Sequence, residues 1–175
     1  MSRPRDWSPL HLYSDPVPGD PHQVSAYASH YSDVADAIRS AATKLTTIAN
    51  HSDGEASEYV DAFKEAAHDV AAKVSRAHQR YARVADAMRD YASPLETAQR
   101  EADAALTRAR NASDSNSSAT TMHHHYEQEL QRPDLSDEDR TRYTLLQHQN
   151  QGDLADAQRE IAAAKADLQH AIELR

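Results

Sequence analysis

The 175-residue chain has no cysteine, which removes disulfides and thiolate chemistry from consideration. Glycine is almost as scarce, with only Gly19, Gly54 and Gly152. Of the seven prolines, Pro4, Pro9, Pro16, Pro18 and Pro21 crowd the start, leaving Pro94 and Pro133 for the rest. Turns consume glycine and proline, so a fold of many strands and tight turns is nearly excluded. Three scattered glycines cannot build a phosphate-binding loop, and no Gly-x-Ser-x-Gly elbow occurs. No apolar run is long enough to span a membrane as a helix. The basic start at Arg3 and Arg5 is not followed by the apolar core of a general secretory signal. Basic residues are the minority, 19 against 28 acidic, for a net charge of −9. That balance argues against nucleic acid or an anionic membrane as partner, and against membrane insertion.

Bulky apolar residues are also few: Leu, Ile, Val and Phe together number 24. Charged chains that poor in them begin to look disordered. Alanine, at 32 residues, points instead to long helices. Spacing decides between the two. Val24, Tyr27, Tyr31, Val34, Ile38, Ala41, Leu45 and Ile48 recur at alternating steps of three and four, the repeat of a coiled-coil stripe. A second stripe runs Val60, Phe63, Ala67, Val70, Val74, Ala77, Tyr81, Val84, Met88, Tyr91, Leu95, Ala98, Ala102, Ala105, Ala109. A third comprises Tyr143, Leu146, Asn150, Leu154, Ala157, Ile161, Ala164, Leu168 and Ala171.

The fold class is therefore all-α: elongated antiparallel helical hairpins, or coiled coils, preceded by an extended arm. Residues 1–21 form the proline-rich arm, whose Trp7, Leu10, Leu12, Tyr13 and Val17 should pack on the helices. Asp20 caps the first helix, with Pro21 at its first position. Residues 22–92 form one hairpin, turning near His51-Ser52-Asp53-Gly54. Residues 93–175 form a second, a stalk with its turn near 133–136, where Ser136 and Asp139 resemble a capping box. In this register residue 116 faces residue 153. The helix-poor stretch 111–121 (NASDSNSSATT) then lies opposite Asn150, Gln151 and Gly152. That stretch is either a weak waist in a continuous helix or a loop. The apolar stripe is still running at Ile172 with no C-terminal cap, which fits either a longer native protein or a short chain that ends in a helix.

Chemistry-bearing motifs are thin. Glu65-Ala-Ala-His68 has the Glu-x-x-His spacing of carboxylate-bridged metal bundles, which need two such motifs and further glutamates. His123-His124-His125 spreads over about 200° of a helix and cannot converge on one ion. No catalytic, cofactor or metal residue is assigned, and an enzyme is not expected. The residues expected to dock the arm or a partner are Trp7, Leu10, Tyr27, Tyr31, Val34, Ile38, Tyr59, Phe63, Val70 and Val74.

Four stretches carry a resemblance: Asp6-Trp7-Ser8-Pro9, the run Ser14-Asp15-Pro16-Val17-Pro18-Gly19-Asp20-Pro21, then Asp61-Ala62-Phe63, and Tyr91 to Gln99 continuing through Ala102-Asp103 and Ala105-Leu106. In these the chain resembles the N-terminal helical domain of actinobacterial proteins secreted through type VII systems, a domain that precedes polymorphic toxins. The resemblance implies a non-enzymatic targeting and interaction domain that docks a small WXG-type helical protein or secretion chaperone. It also implies a C-terminal toxin cargo, and a life in the cytoplasm before export. Two departures stand out. The Trp-x-Gly of related hairpins is replaced by Glu55-Ala56-Ser57, and no tyrosine has an acid four residues on, so the Tyr-x-x-x-Asp/Glu export signal is missing. A self-associating coiled-coil scaffold with no export role is the alternative reading.

Overall fold

The computed structural model describes residues 3–51 and 58–174, and among them every regular element is helical. A 3-10 turn at Ser8–Leu10 is followed by α1 (Pro21–His51), α2 (Glu58–Leu130) and α3 (Asp137–Glu173). The turn read at Ser52-Asp53-Gly54 and the Glu55-Ala56-Ser57 position lie outside the described residues.

The helix starts follow from local chemistry. Gly19 adopts a φ of 125°, a conformation that side chains with a Cβ rarely reach, and delivers the chain to Asp20. The Asp20 carboxylate accepts from the N–H groups of His22 (2.9 Å) and Gln23 (3.0 Å), satisfying two donors that α1 leaves free. At α3, Ser136 Oγ accepts from Asp139 N–H at 3.1 Å and returns its own proton to Asp139 Oδ2 at 2.7 Å. Asp137, Glu138 and Asp139 add negative charge where the helix dipole favours it.

α2 runs 73 residues, passing through Pro94, which removes one backbone N–H from its ladder. The stretch 111–121 is helix. Its hydroxyls are absorbed by the helix itself: Ser117, Thr120 and Thr121 donate to carbonyls four residues back at 2.9, 2.7 and 3.0 Å. Ala112 and Ala119 are buried at its two ends.

The chain divides into two compact units. One, here the hairpin unit, is Gly19–Pro94; the other, the arm unit, joins Met1–Pro18 to Leu95–Arg175. In the arm unit, α2 from Leu95 and α3 run antiparallel. Leu95, Ala98, Ala102, Ala105, Ala109, Ala112 and Ala119 are buried on α2, and Asn150, Ala157, Ala164, Leu168 and Ala171 on α3. Tyr143, Leu146, Leu154 and Ile161 are half-buried between the latter, so each member of the α3 stripe faces inward. The rings of Tyr126 and Tyr143 lie 6.2 Å apart near the turn, and Arg108 pairs with Glu160 (3.0 Å) and with Asp167 further along.

The hairpin unit departs from expectation. The rings of Tyr31 and Tyr81, 5.9 Å apart, set its register. Its innermost residues, however, are alanines, all but Ala67 one position beside the expected stripe. Ala28, Ala35, Ala42 and Ala49 are buried on α1, and Ala67, Ala71, Ala85 and Ala92 on α2. Of the expected seam, Tyr27, Ala41, Ile48, Phe63, Val70, Val84 and Tyr91 are exposed instead. Both helices have rotated so that small residues meet. Alanine columns allow close approach of two backbones, and larger side chains are then displaced to the edge of the contact.

Candidate partner interface

The arm forms a third layer over α2 and α3 within its own unit, its hydrogen bonds reaching α2 and its 3-10 turn touching α3. Trp7 is 1% exposed, and Leu10 and Val17 are equally buried. Trp7 Nε1–H donates to Pro4 O at 3.0 Å, so the buried indole leaves no polar group unpaired. A 3-10 turn bends the chain so that Trp7 and Leu10 point the same way. It closes with His11 in the left-handed region (φ 63°), whose N–H donates to Ser8 O. Across the flank, Gln99 Nε2–H donates to Val17 O at 3.1 Å and Arg110 donates to Asp6 O at 2.8 Å. Arg3 donates to Asp15 (2.8 and 2.9 Å), to Asp103 Oδ1 (2.6 Å) and to Gln99 O (3.0 Å).

This cluster sets opposing protonation preferences. For Asp15, desolvation pushes upward, but the Arg3 hydrogen bonds and charge together with the Val17 N–H hold its carboxyl below the ordinary range. For Asp103, burial and the nearby Asp15 charge outweigh Arg3 and raise it. Arg3 itself is raised, its burial being overcome by the two carboxylates.

Among the described residues of the hairpin unit no such layer occurs. Heptad geometry places the positions just outside the alanine columns on one side in both antiparallel helices. On α1 these are Tyr27, Val34, Ala41 and Ile48; on α2, Phe63, Val70, Ala77, Val84 and Tyr91. Between the two columns lie the half-buried Val24, Tyr31, Ile38 and Leu45, opposed by Val60, Val74, Tyr81 and Met88. The result is a single broad face in which none of these positions carries a charge. Tyr27 is 52% exposed and Phe63 51%. The acids Asp33, Asp36, Asp61, Glu65, Asp69, Asp86 and Asp90 all sit on the other sides of their helices.

Of the residues singled out from the sequence, eight fall on this face or its edge. Tyr27, Phe63 and Val70 are the exposed members, Tyr31, Val34, Ile38 and Val74 the half-buried ones, and Tyr59, at 90% exposure, stands on the rim. Trp7 and Leu10 belong elsewhere, to the buried arm. Sequence reading missed Val17 and Gln99 as an anchoring pair. It had one available signal, a glutamine beside Ala98 within an otherwise apolar row.

A second feature lies at the waist of the arm unit. Asn150, buried in the seam, donates through Nδ2 to Ala119 O at 3.0 Å. The buried acceptors Asn116 Oδ1, Asn150 Oδ1 and His123 Nδ1 have no hydrogen-bond partner among the described residues. Beside them, on the flank away from the arm, opens a cleft of about 700 Å³ lined by Arg108, Ser115, Met122, Gln149 and Asp153 among others. His123 and His124 both lie against Glu127 (3.4 and 3.5 Å), while His125 turns away to meet the Tyr143 ring at 6.4 Å. Glu65 and His68 are both exposed.

The described residues thus form an all-helical domain with an alanine seam, an internally docked arm and an exposed uncharged face. Residues 13–175 match the family model described as "Putative T7SS secretion signal domain", T7SS being the type VII secretion system, and the chain belongs to that family. Membership gives it a secretion-targeting role and associates it with export through a type VII system. Neither a curated protein nor a solved structure gives a significant match. Among the described residues no helix is long and apolar enough to cross a membrane.

Proposed function

We propose that the chain is the non-enzymatic targeting and docking part of a type VII secretion effector. In this reading it binds a small helical protein through the open face of the hairpin unit and carries a C-terminal toxin cargo. The observation that supports it most is the face itself. Eight or more large apolar side chains at helical spacing stand exposed or half-exposed on one side of a two-helix hairpin. Contiguous apolar surface of that kind marks sites of association, and an amphipathic helix pair is the shape that fits it. Family membership supplies the destination.

Co-expression with the small helical proteins encoded beside it, followed by size-exclusion chromatography, tests the reading. Co-elution that is lost in Phe63→Asp and Val70→Asp, with the helical content of the chain retained, is the expected result. A chain that is folded alone, never co-elutes and is not exported from a type VII-competent host would overturn it.

A further inference from the structure

We infer that the open face of the hairpin unit selects an acidic partner: a pair of amphipathic helices with an uncharged apolar face bordered by Asp and Glu, and not a second copy of this chain. The inference rests on the docking reading above and concerns what decides between occupants. The rims of the face follow from the same heptad geometry, one step outside the exposed columns. On α1 the rim reads Gln23, His30, Ala37, Lys44, and on α2 Tyr59, Ala66, Lys73, Arg80, Ala87. No acid occurs on either rim, although the chain as a whole carries a net charge of −9. The charges that border the face are Lys44, Lys73 and Arg80.

Lys73 is held by Asp69 of its own helix at 2.7 Å, in an exposed pair that contributes little and is readily exchanged. Lys44 and Arg80 make no ion pair with a described residue. The acids have been segregated to the opposite sides of the helices, where Asp36 pairs with Arg39 and Asp86 with Arg89. Stacking two copies face to face would set rim on rim and bring like charges together, which costs affinity at an interface border. A helix pair with acidic rims would meet the same surface with complementary charge. The apolar centre supplies adhesion and the rims supply choice.

The test uses two designed helical hairpins as probes. They share one apolar face and differ only in carrying glutamate or lysine at their rim positions. Binding of each to the full chain is measured by isothermal titration at low and at physiological salt. The glutamate-rimmed probe should bind about tenfold more tightly than the lysine-rimmed one, and raising the salt should narrow the gap. The combined variant K44E/K73E/R80E should invert the order. Equal binding of both probes, or no inversion, overturns the charge inference and leaves the docking reading standing. Failure of both probes to bind overturns the docking reading and the charge inference with it. A stable dimer of the unmodified chain by sedimentation, insensitive to Phe63→Asp, would also overturn the charge inference.

Discussion

The two units pack helices in the same way and finish differently. Each is an antiparallel pair with an alanine seam at three-four spacing, and such a seam is narrow because alanine buries little area per residue. In the arm unit the chain thickens the pair with a third layer. Trp7, Leu10 and Val17 are buried over the Gln99–Arg110 flank and tied down by Arg3, Gln99 and Arg110. In the hairpin unit the analogous apolar flank is left standing with Tyr27, Phe63 and Val70 in view. A two-helix pair built on alanine needs a third element, and here one pair has it in cis.

The comparison can be attacked first at its strongest point. Trp7→Ala removes the arm's anchor and should cost about 3–5 kcal/mol of arm-unit stability, read as a shifted urea midpoint by circular dichroism. Phe63→Ala, at a half-exposed site, should shift the midpoint by under about 0.5 kcal/mol. If the two cost the same, the contrast between the units fails. Next in size, Arg3→Ala strips Asp15 and Asp103 of their shared cation and should cost about 1–2 kcal/mol. Asn150→Leu deletes a buried acceptor with no partner among the described residues, at the loss of the Nδ2 bond to Ala119 O, and should raise stability by under about 1 kcal/mol. The smallest change is Gly152→Ala: a Cβ there meets nothing within 4 Å, so a gain of about 0.5–1 kcal/mol is expected from helix propensity alone.

Acidification sharpens the comparison in another way, because the carboxylates with opposed shifts are in the arm unit. Asp15, lowered in the folded state, contributes stability above its unfolded value that is lost as the pH falls toward its folded one. Asp103, raised in the folded state, works with the opposite sign, since there the folded chain binds the proton more readily. The two partly cancel. Asp103→Asn should therefore steepen the loss of stability between about pH 5 and 3 relative to wild type. A flatter profile would show that the assignment of signs is wrong.

The helices, both caps and the burial of Trp7, Leu10 and Val17 were legible in the sequence because each rests on a local signal: Asp20 before Pro21, Ser136 before three acids, proline runs before helix formers; Tyr13, expected to pack beside them, is fully exposed. The seam of the arm unit was legible too, since Leu95, Leu154, Ile161 and Leu168 leave little choice of face. The seam of the hairpin unit was not. Two columns one residue apart compete there, and the true one contains Lys64 and His78 beside its alanines, so a hydrophobicity count favours the wrong column. What decides is the distance between two backbones, a property of the pair that neither helix reveals alone. For stretch 111–121, propensity speaks against helix, while the i−4 hydroxyl bonds and the burial of Ala112 and Ala119 speak for it. Tyr27, Phe63 and Val70, read from the sequence as part of a seam, stand exposed beside it.

The arm's contacts have a consequence in time. Gln99 reaches Val17 across 82 positions and Arg110 reaches Asp6 across 104, whereas Tyr31 and Tyr81 lie 50 positions apart. Closing the longer loop is the slower step, and it waits on residues made after the hairpin unit is complete. As the chain leaves the ribosome, the hairpin unit and its open face exist first. The arm is then still unanchored, its contacts waiting on Gln99 and Arg110.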